Sequence, residues 1–217
     1  SSLVAEPGAR FQYSNIGFEV LADVIAKTSG ESFENYVKRR ILIPLGMLRS
    51  TLLNRETSLE FLTTPHVRGA QGKPAISPVF PYNRPHAGSS TLYSNVEEMA
   101  RWARATLNRG ELDGGRILTA SSYDLLWTPT VDIKDANGNP TGRKIGLSWF
   151  LSEHHGHRMI SHGGGDEGFR SFIALLPDDS LAEIAASVVT SAQAVSKRLG
   201  AGTLEGLAPW RPVVEVQ

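Results

Sequence analysis

The sequence predicts an α+β fold: a mainly helical and loop region over about residues 1–134, then an antiparallel sheet meander and a C-terminal helix over about 135–217. Three observations carry this expectation. Apolar residues recur at helical spacing in the first half, the period shortens towards two after Asp135, and the strand-like runs are joined by turns too short for parallel crossovers.

Taken in order, Ile16, Val20, Leu21, Val24 and Ile25 form one stripe of a helix over Ile16–Lys27, stopped by Thr28-Ser29-Gly30. Ser32 is placed to cap a second helix with a stripe of Phe33, Tyr36, Val37 and Ile41, ended by Pro44 and Gly46. From about 50 to 93 the periodicity fades while prolines accumulate, which reads as a long ordered excursion of the kind that carries binding walls. Ser94-x-x-Glu97 has the form of a capping box ahead of Met99, Trp102, Ala103, Thr106 and Leu107, and Gly110 closes that helix. A short helix follows near Ser121–Trp127. Strands are expected at Ile145–Ser152, Arg158–Ser161, Phe169–Leu176 and Glu183–Thr190, with turns at His155-Gly156 and Pro177-Asp178-Asp179 and a last amphipathic segment over Ala192–Leu207.

Composition excludes several classes of function. The chain has 217 residues and no cysteine, which removes thiolate metal sites and a cysteine nucleophile. Lys plus Arg equals Asp plus Glu at 22 each, so no long-range field gathers phosphate backbones, and nucleic acid is not an expected partner. The dense basic run Lys38-Arg39-Arg40 falls at a helix end, where cations suit the macrodipole. No apolar run approaches the roughly 18–20 residues that span a bilayer, so no membrane is expected, and the composition assigns no compartment. The opening residues resemble no signal peptide and lack an initiator methionine, which implies that residue 1 is not where the natural protein begins.

Two constellations could carry chemistry. In Pro7-Gly8-Ala9-Arg10-Phe11-Gln12-Tyr13-Ser14-Asn15, a phenol at a helix start can move a proton if cations lower its pKa from about 10, and the Asn15 amide can hold a carbonyl. Tyr93-Ser94-Asn95 repeats the tripeptide, so a structural role, with Asn15 as a cap, stands beside the catalytic one. In Ser161-His162-Gly163-Gly164-Gly165-Asp166-Glu167-Gly168-Phe169, glycines at a strand end let a ligand approach and leave amides free for an oxyanion. The structural alternative is a glycine-rich hairpin with a solvated histidine. His154, His155 and His157 have no carboxylate at a familiar ligand spacing, and Asp135–Asn139 lacks the glutamate of a calcium loop, so no metal and no cofactor are expected. Ser-x-x-Lys is absent; its nearest match, Thr141-Gly142-Arg143-Lys144, reads as a hairpin loop.

Further landmarks follow in order: Ile43-Pro44-Leu45-Gly46-Met47, Ala87-Gly88 through Tyr93-Ser94, Gly146-Leu147-Ser148-Trp149, then His162-Gly163-Gly164 with Gly168-Phe169 and Pro177-Asp178. Together with the tyrosine segment they resemble the serine β-lactamase-like hydrolases, the group of class C β-lactamases, D-alanyl-D-alanine peptidases and their esterase relatives. The resemblance implies one partial domain over 1–217, with its site in a cleft between a helical part and an antiparallel sheet. It implies Tyr13 as proton shuttle, Asn15 as the residue orienting substrate and the acylation lysine, and His162 at the third-box position that is lysine in many β-lactamases. Gly163, Gly164 and Gly165 would bind substrate, with a Gly165 amide in the oxyanion hole. A mostly neutral imidazole near pKa 6.5 grips a carboxylate less than an ammonium does, which turns the expected substrate towards small-molecule esters or small amides. In this group the nucleophile comes from a Ser-x-x-Lys helix upstream of the tyrosine box, and only 12 residues precede Tyr13. The chain is then the C-terminal portion of a longer hydrolase, one piece of a split enzyme, or a binding module without catalysis. A bare sheet edge would be covered by a complementing N-terminal segment or by a homo-oligomer.

Overall fold

The computed structural model describes residues 5–187. The helix expected over Ala192–Leu207 and the end of the last strand lie outside the described residues. In chain order the described elements begin with α1 (Asn15–Ser29) and α2 (Phe33–Val37), followed by a small hairpin of β1 (His66–Arg68) and β2 (Pro74–Ile76). Helix α3 (Val96–Leu107), a two-residue pair β3 (Glu111–Leu112) and β4 (Gly115–Arg116), and α4 (Ala120–Leu126) lead into the main sheet. That sheet comprises β5 (Val131–Lys134), β6 (Pro140–Ile145), β7 (Phe150–His154), β8 (His157–Asp166), β9 (Phe169–Leu176) and β10 (Leu181–Ser187). Its strands pair antiparallel in the order β10-β9-β8-β7-β6-β5, a plain meander. No described helix is long and apolar enough to cross a membrane.

Two apolar clusters hold these parts together. Ala103 on α3 and Tyr123 and Trp127 around α4 pack with Trp149, just before β7, and with Leu151, Ile160, Ile173 and Leu175 of the sheet. A second cluster of Leu42, Leu45, Met47, Ala105 and Leu112 lies under the end of the α2 segment, and Trp102 packs against both. The α2 segment does not simply end: it continues as a π-helical turn over Lys38–Leu42, in which the Ile43 N–H reaches the Lys38 carbonyl. The wider turn carries Leu42 and Leu45 into the core, and the Arg101 guanidinium donates to the Leu45 carbonyl that the helix end leaves open.

Several sequence expectations are corrected. The cap of α3 is Asn95, whose Oδ1 accepts from the Glu98 N–H at 3.0 Å, and not Ser94, whose hydroxyl lies 2.7 Å from that of Ser50. The first helix is capped by Ser14, which accepts from the Gly17 N–H, so Asn15 is its first helical residue rather than its cap. The run Ile145–Ser152 is not one strand. Gly146 sits where a Cβ would lie 2.3 Å from the Leu126 carbonyl, and Ser148 has φ 69°, so the chain folds back between β6 and β7. Thr141–Lys144 belongs to β6 instead of a loop; the turn is Asp135–Asn139, where the Asp135 carboxylate accepts two backbone N–H groups. Nearly every residue of β6 is exposed, so no apolar alternation marks it in the sequence.

The excursion between the second helix and α3 has little periodicity of its own and is pinned by carboxylates. Glu98, buried at the start of α3, accepts from the Arg49 N–H at 2.9 Å and the Ser50 hydroxyl at 2.5 Å. Buried Glu34 takes the Arg84 guanidinium at 2.6 Å. Burial alone would raise the Glu34 pKa, but the Arg84 hydrogen bond and charge hold it below the usual value. Glu19 of α1 accepts from the Gly88 N–H and the Ser89 hydroxyl, and Gly88 lies so close to α1 that a Cβ would fall 2.4 Å from the Phe18 carbonyl oxygen.

Replacing Glu98 with alanine removes the acceptor of the Arg49 amide and one of the two partners of the buried Ser50 hydroxyl, which keeps only Ser94. We expect a loss of about 2–3 kcal/mol in unfolding free energy, with Glu98→Gln losing less because the acceptor survives. Urea denaturation of the two variants measures both.

Candidate active site

The candidate site forms where β8 runs past the end of β7. The first β7 residue, Phe150, pairs with Ser161, so from His162 to Asp166 one edge of β8 has no described strand beside it, while the other stays paired with β9. Backbone groups alternate sides along a strand, so either the Gly164 amide or those of Gly163 and Gly165 face that open edge. Here the sequence reading is corrected in detail: the three glycines are not a loop between strands but the continuation of β8, and the turn falls at Glu167-Gly168. Nothing in the packing demands glycine at 163 or 165. A Cβ would meet no atom nearer than 3.8 Å at the first and 3.4 Å at the second, where the neighbour is the flexible Arg170 side chain. At 164 it would fall 2.3 Å from the Ser171 hydroxyl, which would have to rotate away, and 3.7 Å from the Ser171 Cβ. Bare backbone at the surface is therefore not a packing requirement of the sheet.

The segment before α1 crosses this edge. Tyr13 is 56% exposed, and its ring centroid lies 6.5 Å from that of His162. His162 also touches Phe150 at 5.4 Å, Phe11 meets the edge of Phe150 at 5.9 Å, and the Arg143 guanidinium lies over the Phe150 ring at 4.6 Å. Burial pushes the His162 imidazole below its usual value; the Gly163 backbone works the other way, and Arg143 adds a further downward push. Asn15, on the first turn of α1, is exposed and makes no side-chain hydrogen bond to a described residue. The structure thus brings Tyr13, His162 and the glycine strand to one place and sets Asn15 two residues from Tyr13 with its amide uncommitted. Sequence reasoning missed Phe11, Phe150 and Arg143. Phe11 stood within the tyrosine segment, while Arg143 was hidden by the misread strand.

The excursion docks on the tip of the β8–β9 hairpin. The Ser77 hydroxyl donates to Glu167 at 3.0 Å, the His66 N–H reaches the Gly168 carbonyl, and Phe80 meets the edge of Phe169 at 5.8 Å. Tyr93 stacks on Phe80 and lies 6.0 Å from Tyr82. Within the excursion Arg84 and His86 face Glu34 and Glu19. The second Tyr-Ser-Asn is committed to this packing: burial first, then Tyr82, pushes the Tyr93 phenol up to about 12. Among the histidines read as a possible metal cluster, His155 with Gly156 makes the β7–β8 turn at positive φ, and His157 pairs with Asp179 at 2.7 Å. Among the described residues no group of three or more potential ligands could hold a metal ion.

Comparison with known proteins bears on the family and the fold. Residues 1–206 match the family model described as Beta-lactamase. The chain is 30% identical over 206 residues to the unguisins hydrolase ungD' of Aspergillus campestris, covering 92% of this chain and 36% of the relative. It is 27% identical over 189 residues to the D-alanyl-D-alanine-carboxypeptidase/endopeptidase AmpH of Escherichia coli, covering 83% of this chain and 46% of the relative. It thus spans less than half the length of these relatives. Among solved structures it resembles the octameric penicillin-binding protein homologue from Pyrococcus abyssi, with a TM-score of 0.71, 26% identity, and coverage of 91% of this chain and 44% of that one. A class C β-lactamase shares the fold, with a TM-score of 0.67 at 16% identity over 92% of this chain and 57% of that one. The end-to-end match of the family model, on a helical part beside an antiparallel sheet, establishes that the chain belongs to the β-lactamase family of serine hydrolases.

Proposed function

We propose that this chain contributes the proton-transfer and substrate-holding half of a serine hydrolase that cleaves esters or small amides through an acyl-enzyme. The observation that carries the reading is the meeting of Tyr13 and His162 beside a glycine strand whose edge is open and whose missing side chains the fold does not require. In this reading Tyr13 accepts a proton from the nucleophile and returns it to the leaving group. Asn15 positions the substrate and the acylation lysine. His162 forms the wall opposite Tyr13, and an amide of the Gly163–Gly165 run, Gly165 by resemblance, stabilises the oxyanion. The names of the relatives, a hydrolase, a carboxypeptidase and a D-aminopeptidase of Gluconobacter oxydans, support hydrolysis. A neutral His162 favours esters or small amides over substrates held mainly by a carboxylate.

The nucleophile comes from a Ser-x-x-Lys pair outside these 217 residues, so the chain alone is inactive and becomes active with a complementing N-terminal segment or within an assembly. Two observations support the need for a covering partner. Ile16, Val20, Leu21 and Val24 of α1 are 47–75% exposed, an apolar stripe with only Ala22 buried on that helix, and β10 is an edge strand among the described residues. The Pyrococcus relative is octameric, which supports a homo-oligomer as one form of that cover. The lack of Ser-x-x-Lys also favours a second reading, a non-catalytic ligand-binding or scaffold protein on the same fold.

Treatment of the purified chain with a fluorophosphonate serine probe is expected to add no mass, with the adduct appearing on the complementing polypeptide once that is supplied. An adduct on this chain would overturn the assignment, and none on any polypeptide would leave the binding protein. In the active assembly, Tyr13→Phe is expected to lower kcat by about 10²–10⁴-fold with the fold unchanged. Steady-state ester hydrolysis measures this.

His162 also gives a signed pH dependence. The unfolded imidazole titrates near 6.5, and the folded one lies lower, so the unfolded state binds the proton more readily. The stabilising contribution is whole above pH 6.5 and is lost as pH falls through the folded value. Unfolding free energies measured between pH 7.5 and about 5 are expected to fall less steeply for His162→Phe than for the native chain.

A further inference from the structure

A cavity of about 380 Å³ lies between the α2 segment, α3 and α4, away from Tyr13, His162 and the glycine strand. Its wall is aromatic and aliphatic: Trp102 stacks on Trp149 with centroids 5.7 Å apart, and Tyr36, Ile41, Tyr123 and Leu126 complete it. No carboxylate lines it. Thr106 reaches it too, but its hydroxyl is already bonded to the Trp102 carbonyl at 2.8 Å. The one charged side chain of the lining is Arg40, exposed at the mouth beside Leu118. Its neighbours Lys38 and Arg39 are paired with Glu56 and Glu31, whereas Arg40 makes no hydrogen bond or close ion pair with a described residue and acts on the Glu31 carboxylate only at longer range.

Arg40 and Ile41 both sit on the π-helical turn Lys38–Leu42. A π turn inserts one residue into a helix and re-aims the side chains that follow, and such turns recur at functional sites. Here it sets a cation at the rim of an apolar chamber that Ile41 helps to line. The volume is that of a small-molecule site, and a guanidinium prefers the planar, two-oxygen geometry of a carboxylate.

We propose that this cavity is a second binding site, for a small apolar carboxylate whose ring or chain enters between the tryptophans while its carboxylate pairs with Arg40. A neutral apolar molecule would forgo the charged contact, and a cation would be repelled by Arg40. The site is independent of whether the chain takes part in hydrolysis.

The test is a titration of the 217-residue chain with 2-naphthoate followed by tryptophan fluorescence, with 2-naphthylmethanol as the neutral counterpart. Saturable quenching by naphthoate is expected, about 10-fold weaker in Arg40→Gln, the scale of a charge-assisted hydrogen bond. Affinity for naphthylmethanol is expected to change by less than about two-fold in that variant, since Arg40 does not contact it in this proposal. Leu118→Trp, which narrows the mouth, is expected to weaken both ligands. Both positions are exposed, and unchanged unfolding midpoints confirm that the variants fold. Absence of saturable binding to the native chain, naphthoate affinity unaltered by Arg40→Gln, or either ligand unaffected by Leu118→Trp would overturn the proposal.

Discussion

The rest of the architecture depends on one strand serving two environments. Ile160 of β8 is fully buried among Leu151, Ile173 and Leu175, so the register of β8 against both neighbours is fixed by core packing. A slip of one residue would turn that face outward, a cost no single surface contact could offset. Two positions further on, β7 has ended and the same strand becomes a glycine edge open on one side. His162 stands at the boundary, half in the packing and half in the site. The rigidity of this edge is therefore borrowed from the core, and its openness from the late start of β7 at Phe150.

The long excursion is held in a different way. It has no stripe to bury, and its anchors are Glu19, Glu34, Glu98 and Glu167, each accepting from a loop residue that lies 48 to 90 positions away in the chain. Glu34 and Glu98 are buried, so losing the loop would leave carboxylates in a dry setting, and the loop is thereby tied to the helices rather than merely resting on them. Gly88 and Gly168 serve the same end sterically. At each, a Cβ would press into backbone 2.4 Å and 2.6 Å away, so the loop can come within contact of α1 and of the hairpin tip only where the side chain is absent.

This division explains what could be read from the sequence. Helices α1, α3 and α4 and strands β8 and β9 carry apolar periodicity, and they appear near where the spacing of Ile16, Trp102 or Ile160 places them. Strand β6 is almost wholly exposed, so it left no periodic trace and Arg143 was hidden inside an apparent loop, while the alternation of Val131-Asp132-Ile133-Lys134 in β5 spans only four residues and went unread. The carboxylate anchors are equally silent, because a glutamate that will accept from a serine 48 residues earlier looks like any surface glutamate. The apolar stripe of α1 was legible as a pattern, but its exposure was not, since periodicity tells which face is apolar and not whether anything covers it.

The two copies of Tyr-Ser-Asn show how context separates residues that local sequence cannot. Both stand at a helix start, where one side-chain oxygen must satisfy the orphan amides of the first turn. At the second copy Asn95 takes that duty, Ser94 is tied to Ser50, and Tyr93 is stacked into the aromatic cluster with its phenol pushed up to about 12. At the first copy the cap moves back one residue to Ser14, and this small shift frees the other two side chains. Asn15 rides on the helix with its amide uncommitted, and Tyr13 lies outside the helix against His162. A phenol held near 12 and packed among rings is poorly suited to proton transfer at neutral pH, so the capping register itself leaves the first copy as the one whose side chains remain available for chemistry.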